Sequence, residues 1–491
     1  MLEPGSPVLL YDANQARELD HFAIHTLQVP ALTFMTRAGE AALRCLRKQW
    51  RNVRSVAIVC GGGNNAGDGY VLARLLRKLD CDVQVVQVGR AKQLSNEARN
   101  CYEAMCQAGV SSVESLEVLN NVELIVDALL GVGLNRDVSG PYAEAIHAIN
   151  RTDVPKLSLD VPSGLDSSTG QIRGVAVYAS STISFMTSKL GLYTGSGPDV
   201  AGTVFCDDLE TPILAYENVK PAALGLQHGR VRHMLSARLR SGHKGTHGHA
   251  LLIGGALGYR GALMLAGESA ARSGAGLVTL VGYADGPELI NPERPEIMSR
   301  RIDHLSELDN LLERASVIAI GPGLGTDNAA MGRFSKVLET KLPLVVDADA
   351  LRLLAAEPTK RTDWVLTPHP GEAAMLLGVT VAAIQTDRLL AAKEIASKYG
   401  GAVILKGAGS IVISDDMPEV LLHGNPGMGS GGMGDVLTGI IAGLVAQGLT
   451  IPDATRLGAC VHARAGDRAA LQGERGMLAR DLMPHIRQLV N

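Results

Sequence analysis

The chain has 491 residues, 46% of them apolar and 20% charged, with a formal net charge of −4 at pH 7. That length exceeds one ordinary hydrophobic core, so two domains are expected. The near-neutral balance and an aromatic content of 3% argue against nucleic-acid or anionic-membrane partners, because they supply neither a basic field nor a base-stacking surface.

Seven cysteines (Cys45, Cys60, Cys81, Cys101, Cys106, Cys206 and Cys460) form no CxxC pair. Their odd number and apolar settings read as free thiols in a reducing compartment, without disulfides or a zinc site. The opening "MLEPGSPVLLYDANQ" lacks a basic segment followed by a long apolar one, so it does not read as a secretory signal. The longest apolar run, around 436–449, is interrupted by Thr, Gly and Gln and falls short of a membrane span. A cytoplasmic location is expected.

In chain order, strand-like runs occur at 55–60, 82–88, 123–130, 156–161, 181–186 and 203–209, with a helical stretch at 68–79. Short, β-branched, nearly continuous apolar strands separated by helices predict a parallel sheet covered on both faces. Polar clusters follow four of these strands. "CGGGNNAGDGY" places Asn64, Asn65 and Asp68 among glycines, in the strand–glycine–helix layout of a dinucleotide site but not as a standard GxGxxG. "VDALLGVGLNRDVSGPY" puts Asp127 at a strand end and Gly131, Gly133 and Arg136 in a phosphate-sized turn. "LDVPSGLD" adds Asp160 and Ser163, and "SFMTSKLG" adds Lys189. Each acid alone reads as an N-cap or turn residue. Four polar groups at four strand ends of one sheet read as a site.

"GGGNNAGDG", "DALLGVGLNRD" and "LDVPSGLD" resemble the NAD(P)H-hydrate epimerase family over about 10–215. The resemblance implies a Rossmann-like three-layer sandwich that interconverts the R and S hydrates of NADH and NADPH. It implies Asp160 as the acid–base group, with Lys189 as its partner. The cofactor's phosphates would be held by Asn64, Asn65, Ala66, Gly67 and Asp68, and by Gly131, Val132, Gly133, Leu134, Asn135, Arg136 and Asp137, with Tyr142 close by. Asn65, Asp127 and Ser163, all oxygen donors, would bind a monovalent cation, K⁺. Ala66 stands where many relatives have glycine, and little damage is expected.

The alternation lapses near 215–235, and the division expected is 1–217, a linker at 218–234, and 235–491. The second half begins afresh with "HALLIGG" and a small-residue helix at 261–276. His243, His247 and His249 crowd one another beside Lys244 with no carboxylate neighbour, a poor zinc site and a better polar substrate loop. Further strand-end turns follow as "IGPGLG", "DADAL", "TPHPGE" and "LKGAGS". In the last of these, Lys406 and three small residues suit a nucleotide's phosphates or its adenine edge.

The run "NPGMGSGGMGD" (425–435) then leads straight into a helix. Glycines bring N–H groups close to a ligand, and a helix start adds unpaired N–H groups and positive potential. Together they make an anion hole for a transferring phosphoryl group. Asp435, in the first turn, is placed to accept a proton from a substrate hydroxyl. The plainer reading is a flexible loop with an N-capping Asp.

"GGMGD" before a small-residue helix, with "GPGLG", "DADAL", "TPHPGE" and "LKGAG" in order, resembles the NAD(P)H-hydrate dehydratase branch of the ribokinase-like superfamily over most of 235–491. The resemblance implies phosphorylation of the hydrate's ring hydroxyl from ADP with Mg²⁺, giving AMP, followed by phosphate elimination that restores NADH or NADPH. Asp435 would be the base, with Gly432, Met433 and Gly434 as the anion hole. Lys406, Gly407, Ala408, Gly409 and Ser410 would hold the donor, and Gly261, Gly323 and His369 the hydrate. The other readings are an ATP-dependent vitamin or sugar kinase fused to a nucleotide-binding domain, and a non-catalytic nucleotide sensor. The partners expected are these small molecules and further copies of the chain.

Overall fold

The computed structural model describes residues 7–89, 94–283 and 294–491. The start of the N-terminal segment weighed above as a signal, residues 1–6, lies outside them. The chain divides into two compact units, Met1–Leu224 and Gly225–Asn491. The break falls inside the stretch read from sequence as a linker. That stretch is not featureless: it carries a strand, Ala223–Leu226, and a helical turn, His228–Val231. Its apolar content was too short to signal either.

The first unit holds a seven-stranded parallel sheet. Its order is Ser112–Val113, Asp82–Gln87, Ser55–Cys60, Leu124–Ala128, Lys156–Leu159, Ser181–Phe185 and Thr203–Asp207. All six strands read from sequence are present. The central strands are buried on both faces, which is why they read as unbroken apolar runs. The chain winds outward in one direction from Ser55–Cys60, then returns to its other side at Leu124–Ala128. That reversal opens a crevice at the carboxyl ends of these two strands.

The second unit has the strands Met298–Ile302, Leu277–Tyr283, His249–Ile253, Val317–Ile320, Leu344–Val346, Trp364–Leu366 and Ala402–Leu405 in parallel. Ile411–Ile413 and Glu419–Leu421 extend it antiparallel. The helix Met433–Ala446 packs on the helix Arg260–Ser273 through glycines. A Cβ at Gly439 would lie 2.0 Å from the Ala266 carbonyl oxygen, and one at Gly443 would lie 2.1 Å from Ser273 Oγ. Only a side-chain-free surface permits that approach, so the small-residue pattern at 261–276 is a packing requirement. It seats the Asp435-bearing helix rigidly in a core that includes Val436, Leu437 and Ile440.

Candidate active sites

In the first unit, helix Asn64–Arg77 starts as soon as Gly61–Gly63 leave the sheet. Asn64 to Asp68 therefore form its first turn instead of a loop. A Cβ at Gly67 would sit 2.3 Å from Met35 Sδ and 3.3 Å from Ala98 Cα, so the glycine lets this turn pack closely and a side chain there would push the Met35 thioether aside. Ala66 lies buried within the helix and outside the positive-φ residues, where alanine is favoured.

A cavity of about 860 Å³ opens at the reversal point. Asn64, Asn65, Asp68, the turn 131–136, Tyr142, Asp160 and Lys189 all line it, so four motifs distant in sequence converge. Asp137 does not line it; it is exposed beyond the turn. Asp20 and Arg17 also line the cavity. Sequence reading missed them because they sit on a short amphipathic helix, Ala13–His21, that carries no motif.

Asp160 and Lys189 form an ion pair, Nζ to Oδ1 2.5 Å, with Lys189 Nζ also donating to the Phe185 carbonyl at 2.7 Å. Both are largely buried, at 14% and 3% side-chain exposure. Lys189 is fixed by the short strand Ser188–Lys189, which pairs in parallel with Val8–Tyr11. Asp160 has φ +67°, a strained conformation of the kind held at functional sites. Asp68 has its pKa raised well above the ordinary value by burial and by the Asp160 and Asp20 charges. Burial raises Asp20 as well.

Asn65, Asp127 and Ser163 cluster around Leu130. Asn65 Nδ2 donates to Leu130 O at 3.0 Å, and Ser163 Oγ accepts from Leu130 N at 2.9 Å. Asp127 is fully buried, and its two oxygens accept from Leu129 N, Ser158 Oγ, Ser163 N and Ser163 Oγ at 2.6–3.2 Å. Asn65 Oδ1 is buried without a hydrogen-bond partner. A buried amide oxygen in need of a donor, beside a carboxylate and a hydroxyl, fits a hard monovalent cation. Asn65 is the member with a lone pair to spare; Asp127 and Ser163 contribute charge and shape around it.

In the second unit, Asp435 stands in the first turn of helix Met433–Ala446, whose N-cap is Gly432. Gly432 has φ +90°, so the backbone demands glycine, and a Cβ there would also crowd Leu265 Cδ1 at 2.6 Å. A Cβ at Gly434 would lie 3.1 Å from Lys406 Nζ. The ammonium thus abuts the helix start. The Lys406 ammonium is held by two carboxylates at the helix start. It donates to Asp347 Oδ1 at 2.8 Å and lies 3.8 Å from Glu372 Oε2. Asp347 Oδ2 accepts from Thr438 Oγ1 at 2.7 Å. Burial alone would raise the Asp347 carboxyl, but the Lys406 charge and these hydrogen bonds hold it below its ordinary value. Among the described residues Asp435 has no such partner. Burial, together with the charges of Asp347, Asp349 and Glu372, pushes it up to about 7, against the opposing pull of Lys406.

Around this centre, His369 caps helix Pro370–Leu377: Nδ1 accepts from Gly371 N at 2.9 Å, and Glu372 Oε2 accepts from His369 N at 2.7 Å. Gly323 has φ +60° and packs under Tyr259, where a Cβ would meet Tyr259 Cβ at 2.6 Å. Gly261, at the start of helix Arg260–Ser273, faces open space. The loops carrying these two glycines are stapled together by Ala256 N donating to Gly323 O at 2.6 Å. Ser410 Oγ closes the turn after Lys406, accepting from Gly407 N at 3.2 Å and donating to Gly407 O at 3.0 Å. Within that turn Gly409 takes φ +58° and Ala408 is exposed. Ala348, between Asp347 and Asp349, is held at φ +49°. The histidines of 243–249 do not converge. His243 Nδ1 accepts from Gly245 N, and His249 lies between Arg314 O and Thr279 Oγ1. Among the described residues no group of three or more His, Cys, Asp or Glu is placed to hold a metal.

Comparison with known proteins places both halves. Residues 250–488 match the family model described as NAD(P)H-hydrate dehydratase, and residues 31–191 match the model of the YjeF-related protein N-terminus. The bifunctional NAD(P)H-hydrate repair enzyme Nnr of Coxiella burnetii is 43% identical, covering 98% of this chain and 99% of its own length. The enzyme of that name from Escherichia coli is 39% identical over 99% of this chain and 94% of its own. A ribokinase-like superfamily protein of known structure from Enterococcus faecalis is similar to 54% of this chain and 94% of its own, with a TM-score of 0.50 and 30% identity. With two carboxylate sites built on two α/β units and similarity along nearly its whole length, the chain belongs to the family of bifunctional NAD(P)H-hydrate repair enzymes.

Proposed function

We propose that this chain restores hydrated NADH and NADPH through two separate sites, an epimerase in 1–217 and a dehydratase in 235–491. The observation that carries the reading is the carboxyl of Asp435. It stands one residue after Gly434, in a helix start backed by the Lys406 ammonium, with its pKa pushed to about 7.

In the dehydratase site, the hydroxyl oxygen of the S hydrate forms a bond to the terminal phosphorus of ADP. The P–O bond to AMP breaks, its electron pair leaving with AMP. Asp435 takes the hydroxyl proton, and a base with a pKa near the working pH suits that task. The N–H groups of Gly432 to Gly434 and the Lys406 ammonium face the charge on the transferring group, where each well-placed donor is worth on the order of 10²–10³ in rate. In the second step the C–O bond breaks, phosphate leaves with the pair, the adjacent carbon loses a proton, and the ring double bond returns. Lys406 to Ser410 hold the donor, while Gly261, Gly323 and His369 face the hydrate. Mg²⁺ would enter on the donor's phosphates, with the carboxylates of Asp347 and Asp349 nearby to balance it, since such ions bind through one or two carboxylates plus phosphate.

In the epimerase site, Asp160 takes the proton of the hydrate's hydroxyl as the bond from the hydroxyl-bearing carbon to the ring nitrogen breaks, its electron pair going to nitrogen and leaving an aldehyde. Asp160 returns the proton to the oxygen when the nitrogen re-adds to the other face; Lys189 holds that carboxyl at the cavity wall. The turn 131–136 and the helix start at Asn64 face the cofactor's phosphates. A K⁺ ion on Asn65 Oδ1, with Asp127 and Ser163 behind it, would stiffen the junction of these two phosphate-binding segments.

The test is incubation of the purified chain with mixed hydrate epimers, Mg²⁺ and ADP or ATP, read by the reduced-nicotinamide absorbance. Conversion of both epimers, under conditions where uncatalysed epimerisation is slow, supports both sites. A plateau at the S fraction removes the epimerase. Phosphorylation of a stable alcohol, without return of absorbance, replaces the dehydratase with a small-molecule kinase.

A further inference from the structure

Asp20, Asp68, Asp160 and Lys189 line one cavity in the first unit, and each of the three carboxyls feels the charge of the other two. Lys189 Nζ is committed to Asp160 Oδ1. Asp160 Oδ2 is turned toward the turn 131–136, where a Cβ at Gly131 would lie 3.3 Å from it. Asp20 and Asp68 have neither a hydrogen bond nor an ion pair among the described residues. Arg17 and Arg136, the other cations of the lining, are exposed. One ammonium cannot balance three carboxylates between apolar walls that include Ile24, Phe34, Met35 and Phe185. The ion-paired Asp160 therefore keeps its charge, and the unpaired acids are driven toward their protonated forms. Burial raises the carboxyls of Asp20 and Asp68, and the Asp160 charge adds to both, against the opposing pull of Lys189.

Helical spacing brings Asp20 there. Asp12 caps helix Ala13–His21, its Oδ1 accepting from Asn14 N and Gln15 N at 2.8 Å. Ala16, Asp20 and Ile24, four residues apart, then all reach the cavity. As a structural residue Asp20 is a poor choice, since it caps no helix start and gives up water without gaining a partner. Ring opening supplies a reason. When the hydroxyl proton passes to Asp160 and the electron pair of the C–N bond moves to nitrogen, that nitrogen has to gain a proton. We infer that Asp20 is a second catalytic residue of the epimerase, the acid that gives its carboxyl proton to the ring nitrogen as the C–N bond breaks and takes it back when the nitrogen re-adds to the aldehyde carbon. Between the two steps Asp160 is protonated and Asp20 ionised. The negative charge moves from one carboxyl to the other beside the same Lys189 ammonium, and the net charge of the cavity does not change. Asp68, held well above its ordinary range, stays protonated through both steps. The inference rests on the reading of this cavity as the epimerase site.

The test follows epimerisation of the pure R hydrate by the full-length chain, using chromatographic separation of the two hydrates. Nucleotide is left out, which keeps the second site idle. Asparagine keeps the shape of a neutral carboxyl but has no acidic proton to give. Asp20→Asn should therefore lower kcat by about 10²–10³-fold, with KM within about threefold of wild type. Asp68→Asn, which imitates an acid that never ionises, should cost less than about tenfold in kcat. Asp20→Glu keeps a transferable proton and should recover most of the rate. The pH profile is the readout that a structural role would not move. The groups whose charge reaches Asp20 are Lys189, Asp160, His21, His25 and Asp68. Wild-type kcat should fall toward alkaline pH as the acid is titrated, a fall kept in Asp20→Glu and absent from Asp20→Asn. Wild-type kcat in Asp20→Asn, a larger loss in Asp68→Asn than in Asp20→Asn, or a slowed Asp20→Asn that keeps the alkaline fall would each overturn the assignment. Absence of epimerisation by the wild-type chain would instead overturn the epimerase reading on which it stands.

Discussion

The two sites use the same materials and pair them differently. In the first unit the buried lysine takes the carboxylate proposed as the acid–base group as its own partner, with Lys189 on Asp160 at 2.5 Å. In the second, a half-buried lysine takes a neighbour, with Lys406 on Asp347 at 2.8 Å, and Asp435 is left to burial and like charge. The difference decides the chemistry. An ion-paired carboxylate is fixed in place and shares its charge, which suits repeated proton movement at one hydroxyl. An unpartnered one beside a paired acid is driven toward neutral pH, which suits a base that must release its proton after each turnover.

The comparison can be broken most sharply at its two carboxylates. Asp435→Asn should lower dehydration by at least 10³-fold, within the range of a lost general base together with its electrostatic role, and leave epimerisation intact. Loss of both activities in a folded variant would contradict separate sites. Asp160→Asn should reduce epimerisation by about 10²–10³-fold and spare dehydration of the pure S hydrate; stopped assays with each epimer distinguish the two. Next in size is the pH dependence. With the Asp435 pKa raised to about 7, dehydratase kcat/KM should climb about tenfold per pH unit below 7 and level off above it. The same shift has a stability sign. A raised carboxyl binds more protons folded than unfolded, so its penalty grows as pH rises from the unfolded value and is complete above the folded one. Asp435→Asn should therefore raise the dehydratase unit's Tm most at pH 8 and least at pH 5, which calorimetric scans at the two pH values would read. The smallest effect belongs to Ala66→Gly. Helix interior glycine costs about 0.5–1 kcal/mol, so a modest loss of stability with unchanged epimerase activity is expected.

Much of this was legible in the sequence, for a physical reason. A parallel sheet buried on both faces writes its strands as apolar runs, and a site at strand ends writes itself as glycine and acid immediately after them. Asp435, Asp160, Asn65 and the turn 131–136 were found that way. What stayed hidden was pairing across distance. Nothing local in "DADAL" tells that Asp347 lies on Lys406, 59 residues away, or that Thr438 completes its shell. Asp20 carries no signal beyond an ordinary helical acid. The strand Ala223–Leu226 was missed because four residues, Ala-Leu-Gly-Leu, are too short a run to show a period.

The central claim is that Asp435 and the N–H groups of Gly432 to Gly434 meet the phosphoryl group together. A crystal of this chain soaked with ADP and Mg²⁺ tests it directly. The account predicts the terminal phosphate within hydrogen-bond reach of those main-chain groups, with the Asp435 carboxyl facing the phosphorus from the side opposite AMP. A terminal phosphate bound elsewhere, with the helix start at Met433 empty of it, would contradict the account.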